Sequence, residues 1–427
     1  MSSSFVAFAV IVLLFTLFLK MPVFISILAG SVTYFILQPA LPAQIMAQRV
    51  IVGMEVIPLL AIPFFVCAGI IMNYSGGTSR IMRFAEVVMK RVPGGLAQVN
   101  VSLSLFMGGL SGSNLADAAM ESKMLVPEME KRGFSKEFST VITAVSAIIV
   151  SLIPPSISMI LYGSVANVSI GKIFIAGIVP GILLAIAMMI LVGFISVKRK
   201  YSNEMIEQVQ LGKALRGAIV PLLLPIVLIG GIRLGVYTPT EAGAVFIVLA
   251  IALSVVYKEF KFSTLLRALQ ETVGTTASIM LIVGSASAFA WILTRERIPQ
   301  QLSQLIVTNI SNKYIFLIIL NLFLLFVGMF VEGNASMIVL VPLFVPIARA
   351  YGINDIQFGI IFIFNSCMGC VTPPIGTLTF VTCGITKCKL AAFWKEAVPF
   401  YLLLLGCLLM ITFVPPLTLA LVDLVWG

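Results

Sequence analysis

The chain contains no histidine, and charged residues make up only 10% of its 427 positions. Without histidine it lacks a common metal ligand and the side chain best suited to proton shuttling near neutrality. Soluble domains carry roughly 25% charged residues, so this composition cannot build a water-facing surface. Polar stretches of domain size are missing too; the longest covers 198–216. The N-terminus has no basic n-region and no clear small-residue cleavage site, so 5–19 reads as a retained first span rather than a signal peptide. No nucleophile–base pair or metal cluster supports an enzyme. The six cysteines (Cys67, Cys367, Cys370, Cys383, Cys388, Cys407) lie in or beside apolar segments. Cys367 and Cys370 have the spacing of redox or metal pairs, but they fall in an apolar run before a Pro-Pro pair and read as small core residues.

What the chain has is apolar length. Hydrophobic residues make up 60% of it, and its mean hydropathy is +1.13. Runs such as 5–19, 173–197 and 272–293 approach or exceed the ~20 residues a membrane span requires. Spans are expected near 4–19, 22–38, 50–72, 137–164, 172–197, 217–234, 239–257, 266–294, 356–383 and 393–416. Regions 94–130 and 314–350 are apolar but interrupted midway by Gly, Ser and Asn. Each is too long for one span and too broken for two, and reads as a re-entrant helical hairpin. Segment 80–91, with Arg80, Arg83, Lys90 and Arg91, is amphipathic and suits the membrane interface, as does 298–310.

The expected fold is an all-α polytopic membrane protein. Its divisions are scaffold helices at 1–72, an interfacial arm at 73–93 and a first transport region at 94–197, with its hairpin at 94–130 and a broken helix at 137–164. A cytoplasmic loop at 198–216 and scaffold helices at 217–294 follow. A second interfacial arm at 295–313 leads to a second transport region at 314–427, with a hairpin at 314–350, a broken helix at 356–383 and C-terminal helices. The net charge of +10 fits topology rather than nucleic acid, because Lys and Arg cluster between apolar runs. One side receives all 27 Lys and Arg except Arg49, Lys172, Arg233, Arg295, Arg297, Lys313 and Arg349. Positive-inside makes the richer side, which includes Lys20, cytoplasmic and sends both termini to the far side.

An internal repeat is written in the prolines. Pro127, Pro154, Pro155 and Pro180 recur 219 residues later as Pro346, Pro373, Pro374 and Pro399. Ala116 and Phe174 are echoed at the same offset by Ala335 and Phe393. An odd number of spans separates the two hairpins, so the second copy is expected upside down. Inverted repeats of this kind build secondary transporters, with the site at the midplane where broken helices meet. The alternative is a chance alignment of helix-breaking prolines.

The first hairpin tip reads Gly108-Gly109-Leu110-Ser111-Gly112-Ser113-Asn114-Leu115-Ala116-Asp117, and the second Val331-Glu332-Gly333-Asn334-Ala335-Ser336. Glycine lets the chain turn and bares its backbone, and Asn114 or Asp117 is expected to cap the returning helix. Each hairpin is followed by a Pro-Pro break, at Pro154-Pro155-Ser156-Ile157-Ser158 and at Thr372-Pro373-Pro374-Ile375-Gly376-Thr377. Paired prolines remove two N–H donors and free carbonyls a turn earlier, and the hydroxyls of Ser156, Ser158, Thr372 and Thr377 flank them. Two sodium sites follow, each pairing a tip with a broken span, with Ser113, Asn114, Gly333 and Asn334 at their centre. The N-termini of the returning helices suit a substrate carboxylate. A simple proline kink bridged by Ser or Thr is the plainer reading of either break. Of the intramembrane acids Glu55, Asp117, Glu241 and Glu332, Asp117 and Glu332 are able to serve a proton pathway, but hydroxyl and carbonyl oxygens are far more plentiful, which favours sodium. Arg295-Glu296-Arg297 reads as a docking surface for a soluble partner or as an ordinary solvated loop.

The tip at 108–117, the Pro154-Pro155-Ser156 break, Tyr237-Thr238-Pro239-Thr240-Glu241-Ala242 and the segment 369–377 together resemble the large membrane subunit of tripartite ATP-independent periplasmic (TRAP) transporters, over essentially the whole chain. The resemblance implies a bacterial inner-membrane location with periplasmic termini, and an elevator mechanism driven by two or more sodium ions. It implies a small four-helix membrane partner, a periplasmic substrate-binding protein, and a carboxylate substrate such as sialic acid, another sugar acid or a C4-dicarboxylate. An unfused large subunit is expected. It assigns Ser111, Gly112, Ser113, Asn114 and Asp117 to the inner hairpin site, and Glu332, Gly333 and Asn334, with Ser336 nearby, to its outer mate. A self-sufficient sodium–dicarboxylate symporter of similar fold is the competing reading, ahead of a channel or a membrane enzyme.

Overall fold

Side-chain caps open some of the helices, Ser113, Ser135, Ser169, Thr238, Asn312, Glu332 and Asn354 among them, and Pro-Pro pairs mark breaks, whereas Pro127, Pro180 and Pro399 lie inside helices. The computed structural model describes residues 2–19, 21–201 and 211–426. Lys20, expected on the cytoplasmic side, and 202–210, within the expected cytoplasmic loop, lie outside the described residues. Every described element is a helix. The first group comprises α1 (Ser2–Phe18), α2 (Val23–Leu37), α3 (Gln44–Met54), a 3-10 turn (Ile57–Leu60), α4 (Ala61–Tyr74) and α5 (Gly77–Met89). Next come α6 (Gly95–Ser111), α7 (Asn114–Lys131), α8 (Lys136–Leu152), α9 (Ile157–Ala166) and α10 (Ile170–Arg199). Then α11 (Leu211–Arg233), α12 (Pro239–Val256), α13 (Phe262–Arg295) and α14 (Ile298–Asn309) follow. The chain finishes with α15 (Lys313–Gly328), α16 (Gly333–Ala350), α17 (Asp355–Gly369), α18 (Thr377–Thr386), α19 (Leu390–Phe413) and α20 (Pro416–Trp426). The bounds of α16 are those of α7 moved by 219 residues, and α17 begins 219 residues after α8.

Among the described residues, seven helical segments are long and apolar enough to cross a bilayer: Ile57–Tyr74, α10, α11, α12, α13, α16 and α19. An eighth appears if α8 and α9, bent by 44° at their break, count as one. Several expected spans are shorter or split. Helix α2 has 15 residues, about 23 Å at 1.5 Å each, short of a ~30 Å hydrocarbon core. The expected span at 50–72 breaks at Glu55 and Val56, because Pro58 lacks the N–H that would continue α3. The span expected at 393–416 stops at Phe413 before Pro415 and Pro416, and a separate α20 follows. The polar 198–216 stretch is trimmed from both ends, by α10 running to Arg199 and by α11 starting at Leu211.

Two helix groups meet. In one, α12 packs on α4, α13 packs on α2, α3 and α4, and α11 lies along α5. In the other, α7 and α6 pack on α8, α16 on α9 and α17, and α18 on α7. They touch where α4 meets α6 and α9, and where α13 meets α16. Outward faces carry Phe15, Ile190, Phe194, Val248 and Leu402, all exposed, as a lipid-facing surface requires.

Buried amides tie α6 to α8 and α15 to α17 and α19. Asn100 Nδ2 donates to Thr143 Oγ1 at 2.7 Å, and Ser146 Oγ donates to Asn100 Oδ1 at 2.9 Å, joining α6 to α8. Asn365 Nδ2 donates to Asn321 O and Oδ1, both at 2.9 Å, and Asn321 Nδ2 donates to Thr412 Oγ1 at 3.1 Å, joining α17, α15 and α19. Interhelical bonds in membranes average about 0.6 kcal/mol and reach about 1.7. Asn365→Ala, which removes two of them, is therefore expected to lower stability by about 1–2 kcal/mol. A reduced midpoint of thermal unfolding in detergent would register it; an unchanged midpoint would refute the tie.

Candidate functional site

The first tip is a turn of four residues. Ser111 ends α6, Gly112 takes φ of 61°, Ser113 is extended and Asn114 opens α7. Gly112 is required there on two counts. Its φ lies in the left-handed region, and a Cβ would sit 2.8 Å from Pro155 O. The cap of α7 is Ser113, whose Oγ accepts from Ala116 N at 3.4 Å, and not Asn114 or Asp117 as expected. The second tip is capped by Glu332, whose carboxylate accepts from Ala335 N at 3.0 Å. Ser336 Oγ donates to Gly333 O at 2.9 Å.

Each break is stitched to its own tip through the backbone. Ile157 N, just past Pro154-Pro155, donates to Gly112 O at 3.1 Å. Gly376 N, just past Pro373-Pro374, donates to Met329 O at 3.1 Å. Both Pro-Pro peptide bonds are cis. Side chains then join each tip to the opposite broken helix. Ser158 Oγ donates to Asn334 Oδ1 at 2.8 Å, and Asn114 Nδ2 donates to Cys367 Sγ at 3.5 Å. Residues more than 170 positions apart thus form one cluster. Cys367 and Cys370 are buried and unpaired, like the other four cysteines.

Several oxygens here have no hydrogen-bond partner although they are buried: Ser111 Oγ, both carboxylate oxygens of Asp117, Ser156 Oγ and Thr377 Oγ1. Buried polar groups are normally satisfied, so these uncommitted oxygens, with Ser111 and Asp117 within reach of each other, are able to hold a cation. The freed carbonyls of the second break are less bare than expected. Thr372 Oγ1 donates to Met368 O at 2.7 Å, and Val371 O accepts from Thr379 Oγ1 at 3.1 Å and from Tyr401 OH at 2.8 Å. A carbonyl oxygen has two lone pairs, so hydroxyl donors use up what the prolines release. Thr372 therefore plugs the break.

Geometry alone leaves the family open, and a sequence profile decides it. The profile described as tripartite ATP-independent periplasmic transporter, DctM component, matches residues 10–417. The chain belongs to this family. The sialic acid TRAP transporter large permease protein SiaM of Vibrio cholerae is 37% identical over 413 residues, covering 96% of this chain and 97% of SiaM. The C4-dicarboxylate TRAP transporter large permease protein DctM of Pseudomonas aeruginosa is 34% identical over 396 residues, covering 92% of each. In structure the permease is similar to the YdaH transporter of Alcanivorax borkumensis, with a TM-score of 0.62 over 85% of this chain and 86% of that one. At 15% identity that likeness concerns the fold alone. This permease is a membrane transport component and not an enzyme.

Of the four acids singled out in the sequence of this DctM-family chain, two lie elsewhere. Glu55 is an exposed residue at the end of α3, and Glu241 is exposed in a capping box with Thr238. Glu121 was missed. It is fully buried, and Ser104 Oγ donates to its two oxygens at 3.1 and 3.0 Å. Its position four residues after Asp117 puts both on one helix face, which was the available signal. Arg295 and Arg297 sit exposed at the α13–α14 corner. Arg295 lies 5.5 Å above the Trp291 ring, and Glu296 between them accepts from Tyr34 OH.

Proposed function

We propose that this permease is the substrate-translocating subunit of a sodium-driven importer in a bacterial inner membrane, its cargo a carboxylate such as sialic acid, another sugar acid or a C4-dicarboxylate. The observation that carries the reading is the pair of cross-links, Ser158 to Asn334 and Asn114 to Cys367, which gather both tips and both breaks into one cluster. Matching helix bounds at an offset of 219 support two copies of one unit, related by inversion as in many secondary transporters. A unit stitched together this firmly moves as one body against the α1–α4 and α11–α13 group, which is an elevator. Relatives named for sialic acid and for C4-dicarboxylates share the carboxylate. A tripartite family supports two partners, a small membrane subunit and a periplasmic binding protein.

Each tip carries one acid but places it differently, at the cap of α16 and within the first turn of α7, and different roles are proposed for them. Glu332 already places a carboxylate on the N-terminus of α16. The neutral Ser113 caps α7 at 3.4 Å and leaves that partial positive charge to a ligand. The substrate carboxylate therefore belongs at α7, where buried Asp117 would repel it. A sodium ion on the orphaned oxygens of Asp117 and Ser111 removes the repulsion, so ion binding precedes substrate binding. Asp117→Asn is expected to flatten the sodium dependence of uptake. The test is uptake of labelled carboxylates into proteoliposomes, with sodium or choline at fixed pH, with and without a binding protein. Equal uptake in choline would remove sodium coupling, and free-substrate uptake by the permease alone would favour the self-sufficient symporter.

A further inference from the structure

Two cavities lie end to end along the seam between the helix groups. The larger one, about 720 Å³, opens among Asn167, Val236 and Glu241 and is walled by Tyr237 and Trp426. The smaller one, about 200 Å³ and about as open, lies between Ser287 of α13 and Ile338 of α16. Val56 and Ser164 line both, so they form the neck. Ile338 stands one helical turn, about 6 Å, beyond Asn334, and Ser164 stands six residues, about 9 Å, beyond Ser158. The row of spaces therefore runs along the groove between α9 and α16 towards the Ser158–Asn334 bond.

The lining sets the kind of traffic. The larger cavity holds hydroxyls at Ser164, Ser169, Thr238 and Thr240 and no lysine or arginine, and the smaller is mostly apolar, with hydroxyls only at Ser164 and Ser287. The one carboxylate of the larger cavity, Glu241, is already engaged by Thr238 N at 2.7 Å and Thr238 Oγ1 at 2.9 Å. A site that stores an anion would carry a fixed cation. Hydroxyls that line the larger cavity and reach the neck at Ser164 suit the passing of a polar solute.

We infer that these cavities form the passage by which the transported carboxylate reaches the tips, with Val56 and Ser164 as its neck. This rests on the proposed function and adds a route to it. All six native cysteines are buried, so an introduced thiol can be addressed selectively. In the membrane-reconstituted permease, Ser287→Cys is expected to react with a charged methanethiosulfonate reagent. Adding Ser164→Trp, a plug at the neck, should slow that reaction at least tenfold. Unchanged reactivity behind the plug, or no reaction without it, overturns the passage; the latter marks a space filled by lipid. Neither reading needs transport, so a chain that carries no sialic acid faults only the proposed substrate. Where sialic acid is carried, Ser164→Cys treated with the reagent should lose at least nine-tenths of uptake and regain it on reduction, whereas treated Ser278→Cys on the exposed face of α13 keeps it. Full uptake by labelled Ser164→Cys also overturns the inference, and recovery on reduction excludes a folding defect.

Discussion

Ser113→Asp is expected to leave the permease folded and nearly abolish uptake. Aspartate caps helices as well as serine does, so the start of α7 keeps its bond to Ala116 N. The added carboxylate occupies the helix end that the substrate needs, and reproduces at the first tip what Glu332 does at the second. Two like charges about 5 Å apart repel by about 3 kcal/mol at an effective dielectric of about 20, which is roughly a hundredfold in affinity. Ser113→Asn supplies the same capping geometry without the charge and should retain most uptake. Both variants must elute as the parent does in size exclusion. Uptake by the aspartate variant within twofold of the parent would show that the carboxylate binds elsewhere.

Asn334→Ala and Asn114→Ala form the second pair. Asn334 Oδ1 accepts from Ser158 and has a lone pair to spare, and Asn114 joins the first tip to Cys367. Losing a hydrogen bond to or near a charged group costs about 1.5–3 kcal/mol, so the sodium concentration for half-maximal uptake should rise at least about tenfold in each variant. The maximal rate should fall less, because α16 keeps its Glu332 cap and α7 its Ser113 cap. Sodium titrations identical to the parent in both variants would leave the tips without an ionic role.

What could be read from the residues was whatever local chemistry dictates. Hairpin tips are visible because Gly112 and Gly333 interrupt apolar runs, and breaks are visible because proline cannot donate. The 219-residue offset needed only counting. The hidden parts depend on which residues packing brings together. No local pattern announces that Tyr401, thirty positions downstream, would cover Val371 O. Nor does composition distinguish Glu241, exposed in a capping box, from Glu121, buried against Ser104. The split of 50–72 is legible in Pro58 but outweighed by hydropathy, and the span expected at 393–416 gives way to two helices at Pro415-Pro416.

The bond between Ser158 and Asn334 spans 176 positions, and so ties the evolution of the two halves together. Neither half can drift by itself: a hydroxyl lost early in the sequence strands an amide late in it. Among natural variants, positions 158 and 334 should therefore change in step, and a chimera that takes its halves from two different permeases should fail wherever these two residues disagree.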